Sequence, residues 1–217
     1  MVRPSMLAAA ILALGLWAVP TPSLAIPDPA KAESFVKNLA DRATSVVKDK
    51  SLPKSVKDSK LRDILRDGFN ITTIGKFALG IYRRRASPAQ IKAYLPEFEN
   101  FIVYTYSKRF GKYAGETVKV VGNRAAGRSK TDIFVRTEII REGKDPIAVD
   151  WRIRERKGTY LVIDIEIEGT SQALTYKQEF ASVIQRRGKG VDGLIDELRA
   201  KNAKLKAESE SDKAAAK

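Results

Sequence analysis

The sequence predicts an α+β fold: N-terminal helices, a twisted antiparallel sheet of about four to five strands, then C-terminal helices. Three observations carry this. Between residues 28 and 111, apolar residues recur every three to four positions, the helical period. From residue 117 to 167 the period falls to two, in runs broken by Gly-containing turns. After Gly169 the helical spacing returns.

Each element has its own signals. Asp28-Pro29 reads as an N-cap followed by Pro at the first helical position, opening a helix over residues 28 to 48. Its stripe is Phe35, Leu39, Ala43 and Val46-Val47. After the break at Ser51-Leu52-Pro53, a second helix over 56 to 69 carries Leu61, Ile64, Leu65 and Phe69 on one side. A short third helix starts at Asn70 and runs through Gly80. Ser87-Pro88 starts a long fourth helix with Ile91, Leu95, Phe98, Phe101 and Tyr104 on its apolar side, stopped near Gly111. In the strand region, Ile133, Val135, Thr137 and Ile139 share a face, as do Ile147, Val149, Trp151 and Ile153. In the last run, Leu161, Ile163, Ile165 and Ile167 are expected inside, with Val162, Asp164, Glu166 and Glu168 outside. One helix follows with Leu174, Tyr176, Phe180, Val183 and Ile184 inward, and another over 191 to 203 with Leu194, Ile195 and Leu198. Residues 204 to 217 (KLKAESESDKAAAK) are nearly free of large apolar groups and are expected to be disordered.

Composition narrows the function. The 217 residues include 40 Lys+Arg, 26 Asp+Glu, and neither His nor Cys, for a net charge of +14. Thiol nucleophiles, disulfides, cysteine-ligated zinc and a histidine base are thereby excluded. Residues 1 to 25 read as a cleaved secretory signal: Arg3, an uncharged apolar run over 7 to 19, and Ser23-Leu24-Ala25 as a small-x-small cleavage site. That run is shorter than the ~20 residues needed to span a bilayer. The expectation is export by the Sec route to the periplasm, with one domain over 26 to 203. Free DNA is largely absent there, so the charge argues for anionic lipid or acidic proteins rather than nucleic acid.

Six segments in order resemble one family. They are ITTIGKFALG (71 to 80) with Tyr82-Arg83, SPAQ (87 to 90), FENFIVYTYSKRFGKYAG (98 to 115), DIEIEGTS (164 to 171), YKQEF (176 to 180) and the Gly190 to Leu198 segment. The set resembles the MlaC-like family of periplasmic auxiliary proteins in outer-membrane lipid asymmetry and toluene tolerance, which includes a hopanoid-associated HpnM branch. Departures stand at Tyr160, Thr170, Lys177 and Asn70, where the family usually has Trp, Val, Arg and Asp. The resemblance implies a soluble carrier with no cofactor and no catalytic residues. Phospholipid, or a hopanoid in the branch, would lie in an apolar cavity between sheet and helices. Its partners would be an inner-membrane ABC transporter complex and an outer-membrane lipoprotein complex, with transient membrane contact.

The lipid-lining candidates are Phe98, Phe101, Tyr104, Ile133, Val135, Ile147, Val149, Trp151, Leu161, Ile163, Ile165, Tyr176 and Phe180. Solid core is the commoner role for any one of them, and a subset is expected to line the cavity. Arg83, Arg84 and Arg85 are the candidates for the pocket mouth, headgroup contact or docking. Two rivals stand beside the carrier. One is a cell-envelope hydrolase using two of Asp150, Asp164, Glu166 and Glu168; the other is a structural adaptor with a filled core.

Overall fold

The computed structural model describes residues 27–110, 116–127, 129 and 131–214. The signal segment and the Gly111 stop lie outside them. The order is α1 (Pro29–Lys48), α2 (Lys54–Gly68), α3 (Ile71–Ala78), a 3-10 turn (Gly80–Arg84), α4 (Pro88–Phe110), β1 (Thr117–Ala125), β2 (Asp132–Arg141), β3 (Lys144–Arg156), β4 (Thr159–Ile167), β5 (Thr170–Ser171), α5 (Gln172–Arg187) and α6 (Gly190–Ala214). The five strands form one antiparallel meander in chain order.

Local chemistry sets the helix starts. The Asp28 carboxylate accepts from the Ala30 and Lys31 amides, and the Asn70 side chain from Thr73. Ser87 and Gln90 cap reciprocally: the Gln90 amide donates to Ser87 Oγ (3.1 Å) and the Ser87 amide to Gln90 Oε1 (2.9 Å). Two hairpins turn on two residues each with positive φ, Lys157-Gly158 and Glu168-Gly169, which matches the twist of the flanking strands.

Two apolar cores result. One lies between the sheet and α1–α2, and holds Val36, Leu39, Leu61, Ile133, Val135, Ile153 and Val162. The other lies among α3 to α6. Its centre is an aromatic cluster of Tyr94, Phe98, Phe101, Tyr176 and Phe180, with ring centroids 5.5 to 6.3 Å apart. Tyr94 donates its hydroxyl to the Gly75 carbonyl at 3.0 Å, so the polar atom is satisfied inside. Phe69 packs against both cores.

Two expectations are corrected. First, β4 is not a simple alternation. Arg152 pairs with Asp164 but Ile153 with Val162, so Ile163 is an extra residue. This bulge reverses the faces on its two sides. Val162 therefore turns into the core, while Leu161 stands opposite Arg154 on the charged face. Second, α6 continues through the segment expected to be disordered, as far as Ala214. Leu205 packs on the helical core, and Ala, Lys and Glu extend a helix readily once it is nucleated.

The outer face of the sheet is an ion-pair lattice. Asp132 is fully buried and binds Arg152 (2.7 Å) and Arg154 (2.6 Å). Asp150 binds Arg136 (2.6 Å) and Arg124 (3.4 Å), and Arg124 reaches Glu166 (3.0 Å). Burial alone pushes the Asp132 carboxyl up, but the hydrogen bonds and charges of Arg154 and Arg152 outweigh it and hold the group at about 2. A carboxyl depressed from the usual ~3.9 adds stability that is present above pH 4 and lost as pH falls towards 2. Asp132→Asn is therefore expected to cost about 2 kcal/mol near neutral pH, with the gap closing below pH 3. Urea unfolding of both proteins at several pH values checks this; a gap independent of pH would contradict it.

Candidate functional site

The sheet core is incompletely filled. Between α1–α2 and the inner face of the sheet lies an apolar cavity of about 160 Å³, inside a wider envelope of about 1140 Å³ that opens to solvent. Its helical wall has Leu39, Ala40, Ala43 and Val47 from α1 and Leu61, Ile64 and Leu65 from α2. Its floor has Val118, Ile139, Val149, Trp151, Ile165 and Ile167. The hollow follows from small side chains on α1. Ala40, Ala43 and Thr44 occupy positions where Leu or Phe would close the gap. Elsewhere the two helices touch closely. A Cβ on Gly68 would lie 2.5 Å from Leu39 Cδ1.

The polar groups of the floor are paired with one another. Trp151 donates its indole N–H to Thr137 Oγ1 (2.9 Å), and Thr137 donates to the Val149 carbonyl (3.3 Å). The ring therefore lines the cavity without an unsatisfied donor. The charged lining residues are Lys48 and Glu116. A second, smaller void of about 30 Å³ lies among α3, α4, β4 and α5. It shares Phe69, Tyr106 and Ile165 with the first, so these three form the partition.

The sequence-derived candidates separate into groups. Val149, Trp151 and Ile165 line the main cavity. Phe98 and Tyr176 line the small void. Phe101 and Phe180 are solid helical core, and Ile133 and Val135 solid sheet core. Ile147 packs against the sheet core without lining the cavity. Tyr104 is half-buried under the Arg62 guanidinium, 5.4 Å from its ring centre. Leu161 and Ile163 line neither void, because the bulge places them away from the floor. Arg83, Arg84 and Arg85 are exposed on the 3-10 turn and its cap, and they line neither void. Sequence reasoning missed the helical wall as a site. Its signal was present in the stripe Leu39–Ala43–Val47, where the middle residue is small, but a stripe marks only a buried side.

The carboxylates considered for hydrolysis all have structural work. Asp164 accepts from the Ile165 amide (2.8 Å), the Ala173 amide (3.0 Å) and Ser171 Oγ (2.6 Å). Asp150 and Glu166 belong to the arginine lattice, and Glu168 accepts from the Ala148 amide at 2.6 Å. None of the four borders the main cavity. The space can accommodate an apolar chain and presents no nucleophile beside a base among the described residues.

Filling the hollow with a larger side chain should cost little stability. Ala43→Phe is expected to lower uptake of a fluorescent apolar dye several-fold, with Tm changed by only a few degrees. Dye titration and thermal unfolding check this. Unchanged uptake would place the binding elsewhere.

Comparison with known proteins agrees with this geometry. The family model described as "MlaC protein" matches residues 37–200. The chain also superposes on the phospholipid-binding protein from Ralstonia solanacearum, solved in complex with a phospholipid at 1.53 Å, with a TM-score of 0.69 and 28% identity. That alignment covers 80% of this chain and 98% of the other. All six motif segments fall inside the matched span, and the chain belongs to the MlaC family.

Proposed function

We propose that this protein is a phospholipid carrier rather than an enzyme, holding acyl chain in the cavity between α1–α2 and the sheet. The observation that carries this is an open, apolar hollow in a fold shared with a protein solved with phospholipid bound. The energetics suit a carrier. Two acyl chains of roughly 30 methylenes would cost on the order of 24 kcal/mol to expose to water, at about 0.8 kcal/mol each. A protein cavity removes most of that barrier without needing to bind lipid more tightly than a bilayer does.

The cavity of about 160 Å³ falls below the ~300–1,000 Å³ of typical ligand pockets. It takes part of one chain as it stands. Fuller occupancy requires α1 to move off the sheet, or Phe69 and Tyr106 to open the partition to the smaller void. Within this reading, the leader sends the chain to the periplasm. There it exchanges lipid with an inner-membrane ABC transporter complex and an outer-membrane lipoprotein complex, as the family suggests.

The test is native mass spectrometry of gently purified protein, before and after incubation with liposomes. Wild type is expected to carry a lipid whose mass separates phospholipid from hopanoid. Val149→Trp and Ile165→Trp should lose it, whereas Leu161→Trp, on the charged face, should keep it. A wild type that carries nothing and takes up nothing from liposomes would overturn the proposal.

A further inference from the structure

Three large apolar side chains stand in water on one side of the helical layer: Phe77 (48% exposed), Ile81 (55%) and Leu174 (44%). Lys177 connects them. Its ammonium lies 5.4 Å from the centre of the Phe77 ring. Its stem packs against Gly80, the neighbour of Ile81, where an added Cβ would lie 3.1 Å from Cε. Leu174 is one turn before Lys177 on α5. A monomer surface seldom groups such residues without a use for them.

The adjoining charge is a run of three consecutive arginines, which share with Arg62, Arg141, Arg156 and Arg186 the lack of a carboxylate partner among the described residues. Arg42, Arg66, Arg124, Arg136, Arg152, Arg154, Arg187 and Arg199 all bind carboxylates. Arg83, Arg84 and Arg85 are exposed, and among the described residues none of them forms an ion pair. In a 3-10 turn, residues i and i+3 eclipse, so Arg84 shares a side with Ile81. Long cations beside Phe, Ile and Leu match the interface of an anionic bilayer. There the apolar groups enter the headgroup boundary while the cations stay at the phosphates. Such a surface presents diffuse charge and demands no fixed geometry, which suits three guanidiniums with no partner to orient them.

We propose that Phe77, Ile81 and Leu174 with Arg83, Arg84 and Arg85 form a docking patch for anionic lipid bilayers. This rests on the carrier reading for its purpose, since a lipid carrier must meet membranes. The patch also lies close to the smaller void. Ile71 and Ile74 of α3 line the smaller void, and Phe77 on the same helix is only about 9 Å along the axis from Ile71.

The absence of Cys makes the experiment clean, because Ile81→Cys supplies the sole thiol for an environment-sensitive fluorophore. Vesicles of phosphatidylcholine, with and without an equal part of phosphatidylglycerol, are then added. The label is expected to shift to the blue and brighten several-fold with the anionic vesicles only, and to reverse in high salt. A label at Glu142→Cys, on an exposed hairpin tip, should not respond. Changing the three arginines together to Gln should weaken vesicle binding on the order of 100-fold. A label that stays in water with both vesicles, or anionic binding unchanged in the triple variant, would overturn the proposal. So would a shift caused by polyglutamate and not by vesicles, which would make the patch a protein-docking surface. Native mass spectrometry on the same samples separates the two readings. Bound lipid without docking removes the patch alone, and docking without any bound lipid removes the carrier reading.

Discussion

Much of this structure hangs on the carboxylate of Asp164. It sits immediately after the extra residue of the β4 bulge and holds the Ile165 amide, the Ala173 amide and the Ser171 hydroxyl together. Ser171 in turn caps α5. One side chain therefore links the bulge, the last hairpin and the helix that completes the aromatic core. A few residues earlier, the Asn70 amide donates to the Val162 carbonyl at 2.9 Å, docking the α2–α3 joint on the same strand. Phe69 is thereby placed between the two cores and between the two voids.

That junction divides the labour of the molecule. The helical core is filled by aromatic rings in edge and stacked contact, a dense packing with little spare volume. The sheet core is closed on one side by α1, whose small residues leave it partly hollow. Formal charge is excluded from the floor of that hollow and concentrated on the opposite face, where Asp132 and Asp150 each bind two arginines. Phe134, on the same outer face, is covered by the Arg124 guanidinium at 3.9 Å from its ring centre. The sheet thus separates an apolar interior from an ionic exterior with one layer of backbone.

Particular residues show where sequence reading succeeds and where it stops. The caps at Asp28 and Ser87, the helix start at Asn70, and the period-two runs of β2 and β3 were legible because their causes lie within a few residues. Val149, Trp151 and Ile165 were legible as inner-face residues for the same reason. Leu161 and Ile163 were misassigned because a bulge inserts one residue and inverts the alternation, and nothing local in TYLVIDIEI announces it. The extension of α6 past residue 203 was missed because low hydrophobicity was read as disorder. A helix already anchored by Val191, Leu194 and Leu198 continues through good helix formers.

The sequence by itself determined the α+β order, the faces of most elements, the exclusion of histidine and cysteine chemistry, and the family through its ordered motifs. These depend on short-range periodicity and on residue types, which a linear chain displays. The tertiary structure alone decided which apolar residues surround empty space and which are packed solid. It also decided which arginines have a carboxylate partner. Both are relations between segments far apart in the chain. A Leu, Val or Phe is equally apolar beside a void or beside another ring, so only the distance to what lies opposite distinguishes a cavity wall from a core.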